Sequence, residues 1–190
     1  QAVSTDEDIA VEITLTAADL DCYSLTYAVT LQPGHGTLNG TLPALTYTPN
    51  ENYNGSDSFS FKANDGQADS NTAAVNLNIN PVNDVPVARA GSNQTVFVRD
   101  TVALNASASA DIDGDSLSFH WAFTEVPEES TAVLSDVLAV NPNFSPDLAG
   151  TYEVQLIVND GEFNSTADQM VITANSRMVI VPEMVGWPQA

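Results

Sequence analysis

Carboxylates recur at every second position in two runs of this chain. Ala110-Asp111-Ile112-Asp113-Gly114-Asp115 carries three of them, and Ala18-Asp19-Leu20-Asp21 carries two. Alternate side chains of an extended segment point the same way, so such a run aims its oxygens at one place. An all-oxygen set suits a hard cation, and six to eight oxygens at variable geometry is the preference of calcium rather than zinc or magnesium. Each run precedes an alternating stretch, Ser24-Leu25-Thr26-Tyr27 or Ser116-Leu117-Ser118-Phe119, and each is followed further on by Asn-Asp-Gly, at Asn64-Asp65-Gly66 and Asn159-Asp160-Gly161. The interval between copies is roughly ninety residues, a domain-sized repeat rather than the short period of a solenoid or propeller.

The elements that must position these loops are strands. Helix signals are nearly absent, while Val, Thr, Ile, Tyr and Phe alternate in short runs broken by Asn, Asp, Gly and Pro, as in an all-β sandwich. The pattern predicts strands over 9–17, 25–31, 44–48, 56–63 and 73–80 in the first half. In the second half it predicts them over 94–99, 102–108, 116–124, 132–134, 139–144, 150–158 and 167–174. Leu117, Phe119, Trp121 and Phe123 share one face, which must be core. Between the halves, Pro81-Val82-Asn83-Asp84-Val85-Pro86-Val87 brackets Asn-Asp with two prolines and reads as a short, stiff linker. The expected division is 1–82 and 83–175, with the first strand of the first domain incomplete, and 176–190 as a tail or the start of a further module.

The 190 residues include 25 Asp and Glu against 4 Lys and Arg, a formal charge of −21 although only 15% of residues are charged. Most carboxylates therefore lack an internal cation, and clustered ones repel unless they are solvated or bridged. Nucleic acid and anionic membrane are disfavoured partners. No apolar run reaches the roughly 18 residues of a membrane span, so membrane insertion is not expected. The single cysteine, Cys22, excludes an internal disulfide, and its place on an exposed loop would suit an intermolecular one.

In such a sandwich the loop between the second and third strands and the loop between the last two lie at the end where the chain enters. Asp111, Asp113, Asp115 and Asp160 would converge there, with Asn83 and Asp84 entering beside them. Glu7, Asp8 and Asp57 belong to the opposite end of the first domain, which faces the linker, so the expectation is calcium at this junction. Each Asp or Asn taken singly is also a common turn former. Cys22-Tyr23 stands where the second copy has Gly114-Asp115, so a site at Asp19, Asp21 and Asp65 should be weaker.

Several of these motifs carry a family resemblance. Thr5-Asp6-Glu7-Asp8, Ala18-Asp19-Leu20-Asp21, His35-Gly36-Thr37-Leu38, Leu45-Thr46-Tyr47-Thr48-Pro49, Asn52-Tyr53-Asn54-Gly55-Ser56-Asp57-Ser58-Phe59, Ala63-Asn64-Asp65-Gly66 and Val82-Asn83-Asp84 resemble the bacterial cadherin-like tandem repeats. Ala90-Gly91-Ser92-Asn93-Gln94-Thr95, Asp111 to Asp115, the strand ending in Trp121, Ala149-Gly150-Thr151-Tyr152 and Val158-Asn159-Asp160-Gly161 resemble PKD domains and their cadherin-like relatives. The resemblance implies two tandem immunoglobulin/cadherin-like sandwiches of a large secreted or cell-surface protein, with calcium at domain junctions.

Catalysis has little to stand on. His35 lies in a Gly-His-Gly turn and His120 on an outward strand face, neither beside a nucleophile placed by a motif. Lys62 falls opposite Phe59 and Phe61, on the solvent face. Tyr152 has the position of a tyrosine corner. Tyr23, Phe163 and Trp187 are the candidate exposed rings, few for a sugar platform. The expected function is a non-catalytic, calcium-stiffened module pair for adhesion or spacing, with a protein or polysaccharide partner at the cell surface or a second copy of the chain. The alternative is a carbohydrate-binding accessory of a secreted polysaccharide-degrading protein.

Overall fold

A computed structural model describes residues 1–21 and 23–178. The chain divides into two compact units, Gln1–Asn83 and a second that begins at Asp84.

The first unit has seven strands: β1 (Ala2–Asp6), β2 (Val11–Thr14), β3 (Thr26–Leu31), β4 (Gly36–Thr41), β5 (Ala44–Pro49), β6 (Gly55–Asn64) and β7 (Ala73–Asn80). They form two sheets, β1-β7-β6-β3 and β2-β5-β4. Alternation decides which side is core: Val75, Leu77 and Ile79 of β7 are buried while Asn76 and Asn78 between them face out. These side chains meet Phe59 and Phe61 of β6, Tyr47 of β5 and Ile13 of β2 in one apolar cluster. All pairings are antiparallel except β1 with β7, which run parallel from Ala2↔Asn76 to Asp6↔Asn80. The parallel pair puts chain entry at the end of the β2–β3 and β6–β7 loops, and chain exit at the other.

The second unit has β8 (Gln94–Phe97), β9 (Val102–Ala103), β10 (Ser118–Glu125), β11 (Asn143–Phe144), β12 (Gly150–Asn159) and β13 (Asp168–Asn175). Their sheets are β10-β12-β13-β8 and β11-β9, and β8 again runs parallel to the last strand. Trp121 is fully buried with Tyr152, Leu156 and Ile172, and Leu117, Phe119 and Phe123 pack against them on the expected face.

The strand expectations fail in places that have physical causes. β1 and β4 were not expected: β1 is exposed on alternate positions, and β4 contains two glycines. The expected strand over 102–108 shrinks to two residues, yet Val102, Leu104 and Ala106 stay buried in alternation. Leu104 and Ala106 donate to the carbonyls of Pro142 and Val140 at 2.9 and 3.0 Å, but Pro142 has no N–H to return, so the ladder is one-sided and regular pairing stops at β11. The segment 132–134 is not a strand; Ala132 and Leu134 only pack against the core. Cys22, most of the 176–190 tail and Trp187 lie outside the described residues.

Candidate metal-binding carboxylates

The second unit assembles its acidic loop around Asp111. Asp111 Oδ1 accepts the amides of Asp113 at 2.9 Å and Asp115 at 3.2 Å, which curls the run into a turn. Gly114 supplies the left-handed residue that the turn needs, at φ 82°. Asp113 Oδ2 accepts the amide of Asp84 at 2.8 Å, and Val87 and Ala110 exchange backbone bonds, so the entering chain is laced to this loop. Asp84, Asp113 and Asp111 are thereby linked in series, each through a backbone amide given to the next carboxylate. Asp111 Oδ2 is buried and accepts no hydrogen bond.

At the exit end of the first unit stands Glu7, only 3% exposed. Its amide donates to Asn80 at 2.9 Å, continuing the β1–β7 pairing, and its Oε1 accepts the amide of Val82 at 2.6 Å. Glu7 Oε2 is buried with no donor. A carboxylate oxygen held out of water without a partner costs several kcal/mol, and such a cost is ordinarily met by a cation.

Two other expected ligands are engaged elsewhere. Asp8, at φ 60°, accepts the amide of Asn52 at 2.9 Å and so ties the β5–β6 loop to the exit end. Asp57 accepts the amides of Gly34, His35 and Ser58 and the Tyr47 hydroxyl, at 2.8–2.9 Å. Burial alone would push the Asp57 carboxyl up, but these donors hold it below the usual carboxylate range. Burial first, then the hydrogen bond to Asp57 and the Asp57 charge, push the Tyr47 phenol well above its ordinary value. Asp57 is an anchor for the His35 loop, whose imidazole stacks on Tyr53 at 4.0 Å.

The Asn-Asp-Gly loops match bond for bond. Asp65 Oδ1 accepts the amides of Gln67 and Ala68 at 2.7 Å, and Asp160 Oδ1 those of Glu162 and Phe163 at 2.7 Å. The two amides hold the exposed Asp65 carboxyl below its ordinary value. Asn64 and Asn159 bond Asp69 and Asn164 in the same way. In the first unit, Asp19 accepts the amides of Asp21 and Tyr23, the pattern of Asp111, so Tyr23 preserves the turn while removing a carboxylate. Asp19, Asp65 and Asp69 line one shallow cleft of about 180 Å³, and Asp21 is exposed beside it.

Among the described residues no three His, Cys, Asp or Glu side chains are gathered tightly enough to hold a metal by themselves. The donor sets still fit a hard cation, because two buried carboxylate oxygens lack any other partner and calcium completes its shell with backbone carbonyls and water.

A carboxylate not singled out from sequence also matters. Asp147 accepts from the Ser130 hydroxyl, the Thr131 amide and hydroxyl, and the Tyr152 hydroxyl, and these donors, Ser130 first, depress it far below the usual range. Tyr152 also bonds Leu148 on both sides of its hydroxyl, at 3.1 and 3.0 Å, the corner expected of it. The residues flanking Asp147 carry no spacing that announces this role.

The fold is that of tandem immunoglobulin-like sandwiches. Residues 1–78 match the model of the bacterial Ig domain and residues 90–174 that of the K319L-like PKD domain. Both are domain types typical of extracellular proteins and are typically non-catalytic. No described helix is long and apolar enough to cross a membrane. Among solved structures, the chain is similar in fold to human mucin-like protocadherin EC1-2, at 13% identity over 93% of this chain and 96% of that one, with a TM-score of 0.52. It is likewise similar to extracellular cadherin domains 3–6 of protocadherin gamma B2, at 15% identity over 94% and 46%, with a TM-score of 0.53. A nucleoside hydrolase-related protein from Saccharophagus degradans matches at 23% identity over 50% of this chain, with a TM-score of 0.42, and the chain spans only 26% of it. No curated protein matches the chain.

Proposed function

We propose that the chain is a non-catalytic, calcium-binding module pair of a larger extracellular protein, serving adhesion or acting as a metal-stiffened spacer. The observation that carries this reading is the pair of buried carboxylate oxygens, Glu7 Oε2 in the first unit and Asp111 Oδ2 in the second, that no protein group satisfies. In the second unit Asp84, Asp113 and Asp111 would hold calcium, with Asp115 and Asp160 as further oxygens around the same end; Asn83 is the residue before Asp84 in sequence. In the first unit Glu7 is the principal ligand and Asp8 an auxiliary one. Asp57 is omitted because its oxygens are already occupied. Asp19, Asp21 and Asp65 form a weaker set, since the equivalent of Asp115 is Tyr23. Bound calcium supplies positive charge where carboxylates would otherwise repel, which fits a chain with 25 acidic and 4 basic residues.

The test is thermal unfolding in chelator, in calcium and in magnesium. A ligand bound only by the folded state stabilises by about 2.7 kcal/mol at a hundredfold excess over Kd. The melting temperature should therefore climb with calcium concentration and much less with magnesium. Identical melts in calcium and chelator would sink the metal reading.

A further inference from the structure

The second unit repeats the exit turn of the first with its chemistry reversed. After β1 the Glu7 amide donates to Asn80 O, and after β8 the Val98 amide donates to Asn175 O, both at 2.9 Å. The next residue is left-handed in each, Asp8 at φ 60° and Arg99 at φ 72°. The turn then closes identically, Ile9 back to Asp6 and Asp100 back to Phe97. Glu7 and Asp8 thus correspond to Val98 and Arg99: a valine and a cation stand where the first unit has two acids.

Arg99 is a bulky residue in a conformation such side chains seldom adopt, and its amide is pinned to Pro146 O at 2.8 Å. Strain of this kind concentrates where a side chain must be presented. Arg99 and Arg177, two of the four cations in the whole chain, line a cleft of about 440 Å³ with Val98, Leu148, Ala149 and Asp147. Arg177 is committed, paired with Asp100 and lying over the Phe97 ring at 5.5 Å. Asp147 has both oxygens engaged by Ser130, Thr131 and Tyr152. Arg99 is exposed and makes no ion pair among the described residues.

We propose that this end of the second unit binds a uronic-acid sugar of an acidic polysaccharide. The Arg99 fork receives the carboxylate, and the apolar wall of Val98, Leu148 and Ala149 lies against the C–H face of the ring. A planar guanidinium matches a carboxylate in two parallel hydrogen bonds, which an ammonium cannot do. The rest of a −21 chain repels a polyanion, so binding is confined to this end and weakens with salt.

The experiment is calorimetric titration of the full chain with a galacturonic-acid trimer at low salt in excess chelator, so that the outcome is independent of calcium binding. Arg99→Asn keeps a residue that tolerates the left-handed backbone. It should weaken binding tenfold or more with no change in melting temperature, Arg99→Lys should weaken it severalfold, and Arg89→Ala, an exposed cation away from the cleft, should leave it unchanged. The proposal is overturned by absence of binding at millimolar trimer, by equal losses in the Arg89 and Arg99 variants, by equal binding of a neutral glucose trimer, or by equal binding of an oligoglutamate peptide.

Discussion

The carboxylate of Glu7 accepts the backbone amide of Val82 at 2.6 Å, across 75 residues of sequence. One oxygen of a buried acid thus fixes the segment that leaves β7, while its other oxygen has no protein partner. Glu7→Gln keeps the acceptor and removes the charge. In chelator the variant should equal or exceed the parent in stability, by about 1–2 kcal/mol, because an unpaired buried charge is gone. In calcium the order should reverse. Parallel melts of both proteins read this crossing, and a variant weaker by the same amount in both buffers would reduce Glu7 to a hydrogen-bonding role.

Asp147 makes acid stability of the second unit depend on one side chain. Its folded carboxyl titrates below the ordinary value of 3.8, so its contribution is complete above that value and is lost as pH falls through the lower, folded one. Asp147→Asn should lower the melting temperature at pH 7, and the gap to the parent should narrow progressively below pH 3.8. A gap independent of pH would mean that the Asp147 charge is irrelevant and only its shape counts.

Tyr47 should be silent in alkaline titration. Its phenol is raised well above 10, so the stability that this shift confers is present below that value and lost only as pH rises through the higher folded one. Tyr47 should fail to ionise at pH 11 until the first unit unfolds, as read by absorbance of phenolate. Tyr47→Phe should abolish that late phase and cost about 1–2 kcal/mol, since Asp57 loses a donor.

Gly36 tolerates no side chain. A Cβ there would sit 2.5 Å from Tyr47 Cε2 and 2.6 Å from the Thr48 carbonyl, and the backbone carbonyl cannot move aside without breaking the β4–β5 pairing. Gly36→Ala should destabilise the first unit by about 2–4 kcal/mol, larger than most surface substitutions. Denaturant midpoints check it, and a loss below 0.5 kcal/mol, roughly the ceiling for ordinary surface changes, would show that the strand shifts freely.

Two-residue periodicity made most of the sandwich legible: Ala73–Asn80 emerged with its expected bounds because Val75, Leu77 and Ile79 alternate with asparagines. β4 was hidden because its glycines carry no pattern, and the pairing of Leu104 and Ala106 was misjudged because the missing N–H of Pro142 acts on the partner strand, not on its own neighbours in sequence. The acidic loops were legible as spacing, and backbone amides link Asp84 to the Asp113 carboxylate and Asp113 to the Asp111 carboxylate. Which oxygen is spent was not legible. Asp57 and Asp65 look like ligands in a string of letters, but Gly34, His35, Gln67 and Ala68 supply amides to them, and only folded coordinates show that.

The first and last strands of each unit run parallel, β1 beside β7 and β8 beside β13. Tension carried along the backbone therefore enters each unit at one end and leaves at the other, and it slides the terminal strands lengthwise past each other. Their hydrogen bonds are loaded in shear and must fail together, whereas an antiparallel terminal pair would unzip one bond at a time. Each domain would therefore resist a pull between its ends more than an antiparallel arrangement of the same strands.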